Sequence, residues 1–198
     1  MRCCATHEGF DTFFGDPAAL ADKLDIQGCD FVALGAPLPM YRTQIGILEL
    51  ADKFNKQSEK MAAYGKMLAY HNHHFEFDRM NEKQVILDSF YNHTDPALVK
   101  AELDVQWVAR GGANPAKWIR KLAGRIHLIH FKDFTICNGS PVLCEVGEGN
   151  LEWDEIMTAC RETDVKLFTV EQDEPFPGRS IFDSMKISYQ NMRNMGLR

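Results

Sequence analysis

Six short apolar runs alternate with longer amphipathic stretches along the chain. The runs cover residues 2–6, 30–34, 66–70, 99–103, 125–129 and 165–170. They read as strands buried on both faces. Helix signals fill the intervals. Asp16-Pro17 places a capping side chain before a first-turn proline, and Gly28 closes that helix. Residues 43–64 form a long helical stretch ending at Gly65, and Asn81-Glu82 opens another. Asn114-Pro115 repeats the cap-plus-proline start, with a stop at Gly124. Residues 151–161 and 180–195 give the last two helices. Strands recur about every 30 residues, the period of a strand–crossover–strand unit.

This pattern predicts one α/β domain over residues 1–198, a parallel sheet with helices outside it. A closed barrel of this kind needs eight strand–helix units, in about 250 residues. With six units present, the chain reads either as an open sheet or as a TIM-type (β/α) barrel lacking its first two strand–helix units.

Composition narrows the function classes. The 198 residues are 45% hydrophobic and 25% charged, ordinary for a globular domain. The net charge of −6 argues against a nucleic-acid partner, which favours a basic face. The six cysteines show no metal-finger spacing and are expected to stay thiols in a reducing compartment. No secretory signal and no apolar run near ~18 residues stands out, so the expectation is a cytoplasmic protein without membrane attachment.

Chemistry concentrates at the expected strand ends, where parallel strand–helix folds keep their active sites. In order these are Thr6-His7-Glu8, the run Gly35 to Pro39, His71-Asn72-His73 with Glu76 beyond, Asp104-Val105-Gln106-Trp107, His130-Phe131-Lys132-Asp133, and Glu171-Gln172-Asp173. Five of the six ends carry His, Asp or Glu. Asp104, His130 and Glu171 each follow an apolar run and would point into one pocket. Two carboxylates and an imidazole suit one divalent ion among Mn²⁺, Mg²⁺, Co²⁺, Fe²⁺ and Zn²⁺. Either His71 or Glu76 would complete the set. His73 would act in proton transfer or touch substrate. Lys132, two residues past His130, would stabilise an oxyanion or donate a proton. Bland readings stand beside these: a helix cap for Asp104, a core histidine for His130, and plain ion pairing for Glu171 and Lys132. Trp107 would wall the pocket or simply join the core. His74 and His93 read as surface residues and His127 as structural.

Five blocks then resemble a known family: Tyr70-His71-Asn72-His73-His74-Phe75-Glu76-Phe77, the run Glu102 to Gly112, His130-Phe131-Lys132-Asp133, the run Glu145 to Trp153, and Val170-Glu171-Gln172-Asp173. In this order they are similar to the sugar phosphate isomerase/epimerase family, with its xylose-isomerase-like barrel, inosose dehydratases and ketose epimerases. The resemblance implies one divalent metal, commonly Mn²⁺, with Asp104, His130 and Glu171 matching three of its ligands. Relatives place a glutamate where this chain has His71, so His71 and Glu76 remain alternatives. Trp107 stands where many relatives have a substrate-binding histidine, and His7 and His71 are further candidate substrate contacts. The present strands match strands three to eight of the family barrel, so the expectation is an N-terminally incomplete domain. Its open edges would favour association with a second copy.

The resulting expectation is a metal-dependent isomerase or epimerase of a sugar or sugar derivative, working through an enediolate. Glu171, Lys132 and His73 are the expected catalytic groups. The runner-up is a lyase or dehydratase of keto-sugars, keto-inositols or 3-keto-glycosides using the same intermediate. An abasic-site endonuclease and a non-catalytic remnant are the remaining alternatives.

Overall fold

The computed structural model describes residues 3–197. In chain order its first half contains β1 (Thr6–Glu8), α1 (Phe10–Phe13), α2 (Pro17–Gln27), β2 (Phe31–Leu34), α3 (Gly46–Ala62), β3 (Met67–His71) and α4 (Ile86–His93). The second half contains β4 (Val99–Asp104), α5 (Val105–Arg110), α6 (Pro115–Lys121), β5 (Ile126–Phe131), β6 (Asp133–Cys137), β7 (Ser140–Cys144), α7 (Trp153–Glu162), β8 (Leu167–Val170) and α8 (Ile181–Asn194). β1, β2, β3, β4, β5 and β8 form one sheet in that order, every neighbouring pair parallel. The sheet curls into a half-barrel with its helices outside. β6 and β7 pair antiparallel as a separate hairpin.

Local chemistry explains the helix ends. Asp16 accepts a hydrogen bond from the Ala18 amide, and Gly28 ends α2 at φ +62°, a conformation that favours glycine. Asn114 caps α6 through the Lys117 amide, and Ser180 caps α8 through the Asp183 amide. Two expectations shift. The first strand was placed at 2–6, of which Arg2 lies outside the described residues; the pairing begins at Thr6 and takes in His7 and Glu8. The helix expected from Asn81-Glu82 begins at Ile86, because Asn81 Oδ1 holds the Lys83 and Gln84 amides in a turn. The β6–β7 hairpin was not anticipated at all.

The strand alternation sorts two apolar layers. Val32, Leu34, Leu68, Tyr70, Leu103, Ile129 and Phe131 face the helices and join the main core with Phe13, Leu24 and Phe54. Phe31, Ala33, Ala69 and Leu128 face the concave side and form a smaller cluster. Two residues beyond Ala69 and Leu128, on that same concave face, stand His71 and His130. Sheet alternation thus carries the inner layer directly into the polar groups at the strand ends.

Candidate metal centre and active site

Sheet register brings the site together. His71 lies beside Glu102 across β3–β4, and Asp104 lies beside His130 across β4–β5. Glu102 and Asp104 are two residues apart on one strand and share a face. One ligand atom from each of His71, Asp104, His130 and Glu171 lies within 4.8 Å of the others, and the same holds for His7, His71, Glu102 and His130. A cavity of about 240 Å³ reaches this region past Thr6, His7, Glu102, His130, Thr169 and Glu171.

Asp104 uses its two oxygens differently. Its Oδ1 accepts from the Trp107 amide at 2.9 Å and caps α5, while its Oδ2 is buried without a hydrogen-bond partner. Glu102 Oε1 accepts from His7 Nε2 and lies 3.0 Å from His130 Nε2 and 3.2 Å from His71 Nδ1. Its Oε2 is buried and unpartnered, as is His71 Nδ1 in hydrogen-bond geometry. The other ring nitrogen of His130 lies 2.6 Å from Glu171 Oε2. Buried polar atoms without partners are rare, because each costs its full desolvation. One of them, Asp104 Oδ2, belongs to a group of four donors that converge on one position. A divalent cation there would satisfy it, so the donor set fits such an ion.

The charges are strongly perturbed. Burial pushes the Asp104 carboxyl up to about 7. Burial also opposes ionisation of Glu102, but the imidazoles of His130, His7 and His71 against it outweigh this and hold the carboxyl well below the usual range. Glu171 is likewise held low, the His130 hydrogen bond and the Lys132 charge prevailing over burial. For His130 burial disfavours the cation, yet Glu102 and Glu171 raise it to about 10. Burial lowers His71, and it lowers His73 to about 3, leaving His73 neutral.

The remaining predicted residues fall into two groups. Lys132 is buried and donates to Asp173 Oδ2 at 2.6 Å and to Glu171 Oε1 at 3.3 Å, and its ammonium lies 5.1 Å from the Trp107 ring centre. His73 packs against His71 and Trp107, and its Nδ1 is buried and unpartnered. Glu76 is set apart. Its Oε1 accepts from the Tyr70 hydroxyl at 2.5 Å and its Oε2 from the His73 amide at 2.8 Å, so it joins neither ligand group. Asp133 does not pair with Lys132. It accepts from Trp153 Nε1 and the Phe134, Gly147 and Gly149 amides, anchoring the loop after the hairpin. His74 and His93 are exposed, and His127 stacks on Phe31 at 4.0 Å. Sequence reasoning overlooked Glu102. Its signal was a carboxylate inside a buried strand, two residues before Asp104 and so on the same face.

No protein-family model and no curated protein matches the sequence. Solved structures do. A sugar phosphate isomerase/epimerase from Parabacteroides distasonis superposes with a TM-score of 0.80 at 23% identity, covering 97% of this chain and 70% of that one. A second from the same organism gives 0.71 at 25% identity, covering 89% of this chain and 62% of that one. IolI, solved with a bound zinc atom, gives 0.72 at 14% identity, covering 98% and 76%. The structural neighbours are thus sugar phosphate isomerase/epimerases and xylose isomerase-like TIM-barrel proteins, and the fold is of that type. The six strands correspond to a large part of such a barrel, as the motif order had implied. Among the described residues, no helix is long and apolar enough to cross a membrane.

Proposed function

We propose that the chain is a divalent-metal-dependent isomerase or epimerase of a sugar or sugar derivative, with His71, Asp104, His130 and Glu171 as metal ligands. The observation that carries this reading is the convergence of these four donors, with Asp104 Oδ2 buried and unpartnered. It favours His71 over Glu76, whose oxygens are already taken by Tyr70 and His73. Mn²⁺ fits the mixed oxygen and nitrogen donors. A bound divalent ion would supply Lewis acidity, polarising a carbonyl and a neighbouring hydroxyl and acidifying the C–H bond between them.

The chain's own groups do the rest. His73 and Glu171 are the two candidate bases for that proton. His73 is neutral with a free ring nitrogen, and Glu171 is ionised. Both are weakly basic, so either suits only a carbon acid that is already activated. The Lys132 ammonium, held by Asp173 and Glu171, would stabilise the enediolate oxygen. Trp107, beside the Lys132 ammonium, would offer a ring face to the sugar, and His7 lines the cavity. Reprotonation on the neighbouring carbon isomerises; reprotonation on the opposite face epimerises.

Deuterium exchange tests this. Ketoses incubated in D₂O with metal-loaded protein are expected to gain deuterium on the carbon beside the carbonyl, seen by proton NMR. Asp104→Asn should abolish the exchange. No exchange across a panel of free and phosphorylated ketoses would contradict the reading.

A further inference from the structure

Three of the polar groups in the cavity are not needed by the centre proposed above. His7 and Glu102 take no part in it, and the Nε2 nitrogen of His130 faces Glu102 rather than Glu171. We infer a second, imidazole-rich cation seat formed by His7, His71, Glu102 and His130, overlapping the first and selective for a softer divalent ion such as Zn²⁺.

Geometry supports the seat first. One ligand atom from each of these four residues lies within 4.8 Å of the others. Burial supports it independently. Glu102 is fully buried, and its Oε2 has no partner although its Oε1 is approached by three imidazoles. His71 is also buried, and its Nδ1, unpartnered in hydrogen-bond geometry, lies 3.2 Å from Glu102 Oε1. The cavity reaches both His7 and Glu102, giving an ion a path inward.

Donor chemistry then separates the two seats. The first offers two carboxylates and two imidazoles; the second offers one carboxylate and three imidazoles. Nitrogen-rich sets suit Zn²⁺, and oxygen-rich sets suit Mn²⁺ and Mg²⁺. The seats exclude one another. They share His71 and His130, and a neutral imidazole has only one lone-pair nitrogen to give. The protein would therefore hold one ion at a time, in a seat chosen by the ion's own preference. The inference goes beyond the proposed activity and does not require it.

Calorimetric titration of the chelator-treated full chain tests it, with Zn²⁺ alone and Mn²⁺ alone as probes. Wild type should bind one equivalent of either. Glu102→Gln and His7→Ala should each weaken Zn²⁺ by about tenfold or more and leave Mn²⁺ within about twofold. Asp104→Asn and Glu171→Gln should show the reverse. His7 is on the edge strand with an exposed ring, so its variant reports on the seat even if Glu102→Gln fails to fold. Unchanged Zn²⁺ affinity in both His7→Ala and Glu102→Gln would overturn the seat. So would equal weakening of both ions, which would make Glu102 only a hydrogen-bond support for the first centre. Two equivalents of Zn²⁺ in the wild type would overturn the exclusion. Unchanged Mn²⁺ affinity in Asp104→Asn and Glu171→Gln would instead contradict the first centre, with the Zn²⁺ arms still deciding the second.

Discussion

Asp104 caps α5 through one carboxylate oxygen, which accepts from the Trp107 amide at 2.9 Å, and leaves the other oxygen buried and free. Capping and metal binding are alternatives when only the sequence is read. Here one oxygen caps and the other is left for the proposed ion. The cap holds the side chain in place, and one carboxylate oxygen lies within 4.8 Å of donor atoms of His71, His130 and Glu171.

The division predicts a difference between two substitutions. Asp104→Asn keeps a capping oxygen, whereas Asp104→Ala removes it at a cost of about 1 kcal/mol. Metal-free Asn variant should therefore be more stable than the Ala variant by about that amount in urea melts, while both lose tight metal binding. Equal stabilities would contradict the capping role.

Glu76 predicts a pH dependence. Burial raises its carboxyl from 4.5 to about 7, although the Tyr70 and His73 hydrogen bonds favour the anion. The unfolded chain then releases this proton near its ordinary pKa, while the folded chain keeps it up to about 7. Between these values the unfolded state binds fewer protons, so stability falls as pH rises, by up to about 3 kcal/mol for this group. Urea denaturation at a series of pH values should show a shallower fall in Glu76→Gln than in wild type. Parallel curves would contradict the assignment.

Gly149 lies against the Asp133 carboxylate. A Cβ there would stand 2.2 Å from Asp133 Oδ1 and 2.5 Å from the Phe134 carbonyl oxygen. Gly149→Ala should destabilise by about 1–3 kcal/mol through overpacking. Asp133→Ala should cost a similar amount or more, since it strips the acceptor from Trp153 Nε1 and three amides. Thermal melts check both. A wild-type melting temperature in either variant would show that the loop relaxes freely.

Lys132 predicts a split between binding and turnover. Lys132→Ala should keep metal content and lower kcat by about 10²–10³-fold, the usual cost of losing one preorganised oxyanion donor. Steady-state kinetics on a substrate found by deuterium exchange would decide it. An unchanged kcat would make Lys132 a structural partner of Asp173.

Much of the fold was legible because apolar runs and helix caps obey local rules. Asp16, Asn114 and Ser180 start their helices through side-chain oxygens, and Gly28, free to take a positive φ, closes α2. β1 was misplaced because three residues of edge strand carry too little pattern to mark their own limits. The β6–β7 hairpin had a usable signal that went unread: Asn138-Gly139, both at positive φ, 51° and 79°, the turn such hairpins prefer. Asp104, His130 and Glu171 stood out because each ends an apolar run. Glu102 was hidden because it sits within one. The proposed preference for His71 over Glu76 rests on three-dimensional structure, since only there do Tyr70 and the His73 amide occupy both Glu76 oxygens.

Metal content of the purified protein is the most direct test of the centre. Inductively coupled plasma mass spectrometry of wild type is expected to find about one divalent ion per chain, and His130→Ala, which removes a donor common to both seats, should carry almost none. Full metal retention in His130→Ala, or a wild type that binds no divalent ion after loading and dialysis, would contradict it.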